Sequence, residues 1–171
     1  MNGVEAMQFR HYPAERLRIE SIASRLTPAE SAFRMWLMEC TINRGVPHNI
    51  DDCPGVEPFD AKPLVQSLVG KRAIVLDESG NVTFIYPVSA LPTRHRVHLG
   101  DGRTFSAMCA IDALGSAFTF KQNTRVESSC SECGEPIHVE IENGQITALR
   151  PHTTHVLHVD LNRVDNWAGS C

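Results

Sequence analysis

The residues with the clearest chemical potential are a cysteine and an aspartate three positions apart, Cys109 and Asp112, in the run FSAMCAIDALGSAF (105–118). The small, apolar residues that follow Cys109 predict a helix, and positions i and i+3 of a helix share a face. Unsatisfied N–H groups and the helix dipole at its start favour a thiolate. Burial and a neighbouring negative charge would both raise the pKa of Asp112, so this carboxyl group would hold a proton. The pair therefore predicts a nucleophile beside a proton donor.

The same spacing fits a structural interpretation. A buried cysteine behaves as a small hydrophobic residue, and an aspartate near a helix start can cap a local turn. The spacing of Cys109 and Asp112 does not by itself decide between the two interpretations.

A second pair, Cys130 and Cys133, has the Cys-x-x-Cys spacing that forms half of many zinc sites, and His152 and His155 could supply the other half. Because a second Cys-x-x-Cys motif is missing, we favour a packed Cys130 and an incidental Cys133 over a zinc ribbon. The remaining histidines in strand-like segments are predicted to have no catalytic role: His95, His98, His138 and His158.

Composition bounds the class of protein. The chain has 171 residues, 42% of them hydrophobic, and a formal net charge of −4 without a long basic run, so one medium domain or two small ones are expected and nucleic acid is not. No stretch approaches the roughly 18 to 20 apolar residues of a membrane span, and the first residues lack an apolar signal core. We therefore expect a cytoplasmic protein without a membrane partner.

In a reducing cytosol its six cysteines are expected to be thiols, metal ligands or catalytic groups rather than disulfides. Cys40 and Cys53 are interpreted as structural residues.

The N-terminal half predicts three helices and a hairpin. Thr27 is a capping residue, Pro28 and Glu30 follow at favoured positions, and Gly45 ends the helix. A helix at about residues 14 to 25 precedes it, and another covers 61–72. Two β-rich runs meet at a turn around Gly80. This order is typical of a winged-helix-like domain, which we assign to residues 1–88.

The C-terminal half predicts a mostly antiparallel β-sheet domain around one central helix, over residues 89–171. Short strands flank Gly100–Gly102, and the helix that starts near Cys109 follows. Further strands are predicted at 124–130, at 136–149 with a turn at Glu142–Gly144, and at 155–161. The fold class is α+β.

The sequence resembles the alkylmercury lyases (organomercurial lyases) over roughly residues 30 to 171. The resemblance is carried by YPVSALPTRHRVHL, FSAMCAIDALGSAFTF and TRVESSCSECGEPIHVEI, and CAIDALG is its most specific part. The family has a Cys-x-x-Asp motif, then a structural cysteine after a strand, then a second catalytic cysteine. Cys109 and Asp112 match the motif, Cys130 matches the structural cysteine, and Cys171 falls where the second catalytic cysteine is expected. A winged-helix-like N-terminal half is also a family feature.

The resemblance implies protonolysis of carbon–mercury bonds, with an organomercurial substrate, mercury resistance and detoxification as the biological setting. Cys109 and Cys171 would bind the mercury of substrate and product, and Asp112 would deliver the proton. No cofactor is required, excess thiol accepts the product, and Hg(II) would pass to cellular thiols or a mercuric reductase. Family members continue beyond the second cysteine, whereas this sequence stops at Cys171, where the α-carboxylate would disfavour a thiolate.

Two alternatives stay open. The first is a protein of the same fold that binds a soft metal or organometal through Cys109, Cys130, Cys133 and Cys171 without cleavage, as a sensor or carrier. The second is a winged-helix regulator, which would need a basic surface that this sequence barely offers.

Overall fold

The computed structural model describes residues 21–55 and 60–157, which form three α-helices and one eight-stranded sheet. The helices are α1 (Pro28–Arg44), α2 (Ala61–Gly70) and α3 (Ala110–Phe120). The strands are β1 (Ile74–Leu76), β2 (Val82–Ile85), β3 (Val88–Ser89), β4 (His95–Leu99), β5 (Thr104–Ala107), β6 (Thr124–Ser129), β7 (Pro136–Glu142) and β8 (Gln145–Arg150). Their order across the sheet is β1-β2-β3-β5-β4-β6-β7-β8, and every neighbouring pair is antiparallel.

Helix α1 begins and ends where its capping residues predict. The Thr27 hydroxyl accepts a hydrogen bond from the Glu30 N–H, and the Glu30 carboxylate accepts one from the Thr27 N–H, which is a complete capping box. Gly45 ends the helix in the left-handed region, with φ of 66°. The buried Glu30 carboxylate also pairs with Lys71 at 2.7 Å, which ties α1 to the residue that follows α2.

The N-terminal half confirms two helices and the hairpin that the sequence predicts. Helices α1 and α2 are present, and β1 and β2 form the hairpin around Gly80. Of the predicted helix at 14–25, residues 14–20 lie outside the described residues, and Ile22–Arg25 form a short 3-10 helix. A winged-helix arrangement for residues 1–88 stays a prediction.

The sheet continues across the predicted domain boundary between residues 88 and 89. Strand β3 pairs with β2 on one side and with β5 on the other, so the N-terminal hairpin and the C-terminal strands belong to one sheet. The predicted hairpins β4–β5 and β7–β8 are confirmed. Residues 155–157 form no strand, and the rest of the strand predicted at 155–161 lies outside the described residues.

The core lies between the sheet and the two longer helices. Helix α1 packs on β2 and β3, and α3 packs on β4, β5 and β6. Fully buried side chains include Phe33 and Leu37 of α1 and Ala113 of α3. Full burial of an aliphatic or aromatic side chain stabilises the folded state by about 1.5–3 kcal/mol. Packing of α3 on β4, β5 and β6 therefore keeps the start of this helix close to the end of β5.

The expectation that the cysteines stay reduced is wrong for one pair in this structure, because Cys40 and Cys53 form a disulfide. Cys40 lies on the inner face of α1, and a 3-10 helix at Ile50–Asp52 turns the chain so that the two Cα atoms are 6.0 Å apart. Cysteines at this separation can be bridged, and inference from cellular compartment does not take local geometry into account. Their interpretation as structural residues fits this position.

Among residues 21–55 and 60–157, no helix combines the length and the apolar character needed to cross a lipid bilayer.

Candidate active site

The contact that the sequence predicts between Cys109 and Asp112 is present. Cys109 directly precedes α3 as its N-cap residue, and its Sγ lies 3.3 Å from Oδ2 of Asp112. The Asp112 carboxylate also accepts a hydrogen bond from the backbone N–H of Cys109. This second bond resembles the return half of a capping box, so the fold of the helix start itself holds the carboxylate against the thiol. Both side chains are half-buried.

The carboxyl group of Asp112 has a pKa raised toward neutrality. Burial raises the pKa of Asp112 from 3.8 to about 6, against the opposing effects of the Cys109 hydrogen bonds and of the Arg34 charge. The sequence predicts the direction of this shift, and burial is its main cause. Asp112 therefore keeps its proton to a higher pH than an ordinary aspartate does, which suits a general acid.

Arg34 is a residue of the site that sequence reasoning missed. This α1 side chain is only 8% exposed, and one guanidinium N–H donates to the carbonyl of Tyr86. Burial lowers the pKa of Arg34 to about 10, an effect that attraction to Asp112 opposes, so the guanidinium stays charged at neutral pH. The sequence places Arg34 on α1 directly after the apolar Phe33, but its partners Tyr86 and Asp112 lie far along the chain, so no local pattern indicated its role.

The Cys109 end of the sheet also carries Cys130. Strand β5 ends at Ala107, two residues before Cys109. The neighbouring strand β4 begins at this end of the sheet, with His95 opposite Ala107, and β6 ends at the same end. Nδ1 of His95 and Oγ of Ser128 are 2.8 Å apart and tie β4 to β6 at this end. Because β5 and β6 flank β4, their axes are separated by about 10 Å. Cys130, which directly follows β6, therefore lies at the same end of the sheet as Cys109.

The turn at Cys130 favours a thiolate. Hydrogen bonds from the backbone N–H groups of Cys133 and Glu132, and then from the Cys133 side chain, lower the pKa of the Cys130 thiol. Cys130 is half-buried and Cys133 is exposed. This electrostatic preference distinguishes Cys130 from an ordinary packed cysteine.

The four side chains of the less favoured zinc-ribbon interpretation do not form a cluster in the part of the chain that the structure describes. There, the only group of three or more His, Cys, Asp or Glu side chains whose ligand atoms lie within 4.8 Å of one another is Cys40, His48 and Cys53. Cys130 and Cys133 are thus not joined by His152 and His155. Zinc at Cys130 and Cys133 stays the less favoured alternative, since these two residues belong to no ligand cluster of three or more among the described residues.

Cys171, the predicted second catalytic cysteine, lies outside the described residues. Among the described residues, the structure brings Cys109 and Asp112 into contact, places the Arg34 charge where it acts on Asp112, and places Cys130 at the same end of the sheet.

Comparison with known proteins identifies relatives of the C-terminal half. Residues 88–171 match the family model described as alkylmercury lyase. The alkylmercury lyases of Bacillus cereus and Clostridium butyricum are each 31% identical to this chain over 97 residues, which is 57% of this chain and 42% of each relative. The aligned part thus spans less than half the length of these curated relatives.

A solved structure shares the fold. The crystal structure of the mercury-bound form of MerB2 has a TM-score of 0.55 and 24% sequence identity, over 77% of this chain and 64% of that one. The family match covers Cys109, Asp112, Cys130 and Cys133, whereas Arg34 lies before the matched residues. By the family match and both sequence matches, this chain is similar to the alkylmercury lyases, and the family match lies in its C-terminal part, residues 88–171.

Proposed function

We propose that this protein is an organomercurial lyase that cleaves carbon–mercury bonds by protonolysis. One observation carries the proposal: the thiol of Cys109 contacts a carboxyl group whose pKa is raised to about 6, inside the segment that matches the alkylmercury lyase family. A soft nucleophile and a proton donor in contact are the two groups that this reaction needs.

The first step is capture of the organomercurial by Cys109. Thiolate sulfur is a soft ligand and Hg(II) is a soft cation, so a thiolate displaces the halide or acetate that accompanies the organomercury cation. The sulfur–mercury bond forms, the mercury–anion bond breaks, and the carbon–mercury bond stays intact. The position of Cys109 at the N-terminus of α3 favours the thiolate needed for this step.

The second step is proton delivery to carbon. A second thiol, which we assign to Cys171 on the resemblance, gives its proton to the ionised Asp112 carboxylate and binds mercury as a thiolate, which leaves Asp112 protonated. Two thiolates increase the electron density on the metal and make its carbon more basic. The Asp112 proton then moves to carbon, and the electron pair of the carbon–mercury bond forms the new carbon–hydrogen bond. A hydrocarbon leaves, and Hg(II) stays on two sulfurs until external thiols remove it.

Arg34 keeps this proton donor in a usable range. A half-buried carboxyl group with no nearby cation would hold its proton too tightly, whereas attraction to Arg34 stabilises the carboxylate that remains after transfer. Arg34 acts through Asp112 and is therefore a positioning residue.

The proposal is tested by benzene release from a phenylmercury salt in the presence of excess thiol. Wild-type protein is expected to release benzene over many turnovers, and Cys109→Ser is expected to release none, because a hydroxyl is a poor ligand for mercury. Glu78→Gln alters an exposed turn residue and serves as the control that keeps wild-type activity. Folded wild-type protein without turnover, or Cys109→Ser with undiminished release, would refute the proposal.

A second candidate is a protein that binds a soft metal or organometal without cleaving it. The observation that favours this function is the thiolate-stabilising turn at Cys130, at the same end of the sheet as Cys109. Such a protein would retain phenylmercury stoichiometrically, with no benzene formed, and Cys130→Ser would lower the amount retained. The same assay therefore separates the two functions.

A further inference from the structure

A second cluster of metal-binding side chains lies in the N-terminal half, away from Cys109. Cys40, His48 and Cys53 are 7%, 3% and 3% exposed, and one potential ligand atom from each lies within 4.8 Å of the others. Two cysteines and a histidine are a common ligand set for zinc. In the structure the two sulfurs are joined as a disulfide, so they are not available as ligands in that state.

The histidine of this cluster presents an unused nitrogen. Nδ1 of His48 lies 3.0 Å from the carbonyl oxygen of Val46, which can only accept, so Nδ1 carries the hydrogen and Nε2 carries a lone pair. Nε2 is buried and has no hydrogen-bond partner in the described structure.

Besides the disulfide, three hydrogen bonds hold the segment that carries His48 and Cys53. The Val82 N–H donates to the His48 carbonyl at 2.8 Å, and Arg44 donates to the Asp52 carbonyl at 3.0 Å. Trp36 Nε1 donates to the Pro54 carbonyl at 3.0 Å. These bonds anchor the segment on both sides of the cluster, so opening of the disulfide would leave the ligands near their present positions.

We propose that reduction of the Cys40–Cys53 disulfide converts this cluster into a zinc(II) site with Cys40, Cys53 and His48 as ligands. A phosphine or dithiol reductant supplies two electrons, the sulfur–sulfur bond breaks, and the two sulfurs each gain a proton. Zinc then displaces both protons as two sulfur–zinc bonds form, and the Nε2 lone pair of His48 completes three protein ligands.

The charge balance suits the buried position of the cluster. Two thiolates and a neutral imidazole offset both charges of the divalent cation, and a neutral assembly is the kind that a protein interior tolerates. Zinc–sulfur bonds of about 2.3 Å and zinc–nitrogen bonds of about 2.0–2.1 Å are within reach of ligand atoms that already lie together. The sulfurs only need to separate from their bonded distance.

The test uses the full wild-type chain and requires no substitution for its main result. Protein is reduced with a phosphine without oxygen, freed of reductant, and alkylated with or without one equivalent of zinc, and the modified cysteines are mapped by mass spectrometry. We expect zinc to protect Cys40 and Cys53 at least tenfold against alkylation in reduced protein. Cobalt(II) in place of zinc should give thiolate charge-transfer and tetrahedral absorption bands.

Variants identify the ligands. His48→Gln and Cys53→Ser should each weaken zinc binding at least tenfold, whereas Cys133→Ser, the matched control on the exposed turn, should leave the protection of Cys40 unchanged. Equal alkylation with and without zinc, protection confined to Cys130 and Cys133, or unfolding of the reduced wild-type protein would each overturn the proposal. None of these outcomes depends on mercury chemistry.

Discussion

Replacement of Asp112 by asparagine tests the raised pKa of this carboxyl group through the stability of the protein. The folded state holds the Asp112 proton more tightly than the unfolded state does, because the pKa is about 6 in the fold and 3.8 for an unperturbed aspartate. Protonated Asp112 therefore supports folding below about pH 4, and this support is lost as the pH rises through 6. Asparagine does not titrate, so Asp112→Asn escapes this loss.

The size of the effect follows from the shift. A difference of about 2 pKa units at about 1.36 kcal/mol per unit corresponds to about 3 kcal/mol. The free energy of unfolding of Asp112→Asn, relative to wild type, should therefore rise by up to about 3 kcal/mol between pH 4 and pH 7. Any constant cost from the altered Cys109 hydrogen bonds cancels, because only the change with pH is compared.

Urea unfolding followed by circular dichroism from pH 4 to 7.5 measures this difference. Asp101→Asn is the matched control whose relative stability should change little over this range, because hydrogen bonds from Arg103 lower the pKa of Asp101 below 3.8 and its effect on stability varies with pH only in more acidic solution. A relative stability of Asp112→Asn that is flat or falls with pH would refute the assignment of a raised pKa to Asp112.

Two further predictions concern the residues around the site and the sheet. Arg34→Met should raise the pKa of Asp112 further, because it removes the nearby cation that opposes the effect of burial; a carboxyl-carbon NMR titration measures this, and an unchanged or lower pKa contradicts it. Gly144→Ala should destabilise the protein more than Gly80→Ala in thermal unfolding: both glycines have positive φ, at 76° and 81°, but only at Gly144 would a Cβ approach Phe118, at 3.2 Å from Cε1. Equal losses of stability would show that Phe118 moves aside freely.

The parts of the fold that the sequence predicts are those determined by local chemistry. The start of α1 is determined by the hydrogen bonds of the Thr27 and Glu30 side chains, and its end by the left-handed backbone conformation that Gly45 adopts easily. The contact of Cys109 with Asp112 depends only on helical spacing, so it could be predicted before the position of α3 was known.

The features that sequence reasoning missed depend on residues distant in the chain. The Arg34 charge is tolerated on the inner face of α1 because a carbonyl 52 positions later accepts its hydrogen bond and because Asp112 attracts it. The disulfide depends on how the segment after α1 turns back toward Cys40, and β3 is only a two-residue strand whose pairing joins the two halves of the sheet. No local pattern encodes such long-range partners.

The most direct test of the central claim, that Asp112 delivers the proton to carbon, is a single-turnover reaction of phenylmercury in deuterated water, with benzene analysed by mass spectrometry. Wild-type protein should release singly deuterated benzene. Asp112→Asn should form a stoichiometric phenylmercury complex and release benzene at least a hundredfold more slowly, in line with the loss of a general acid. Benzene release by Asp112→Asn at the wild-type rate would show that Asp112 does not deliver the proton.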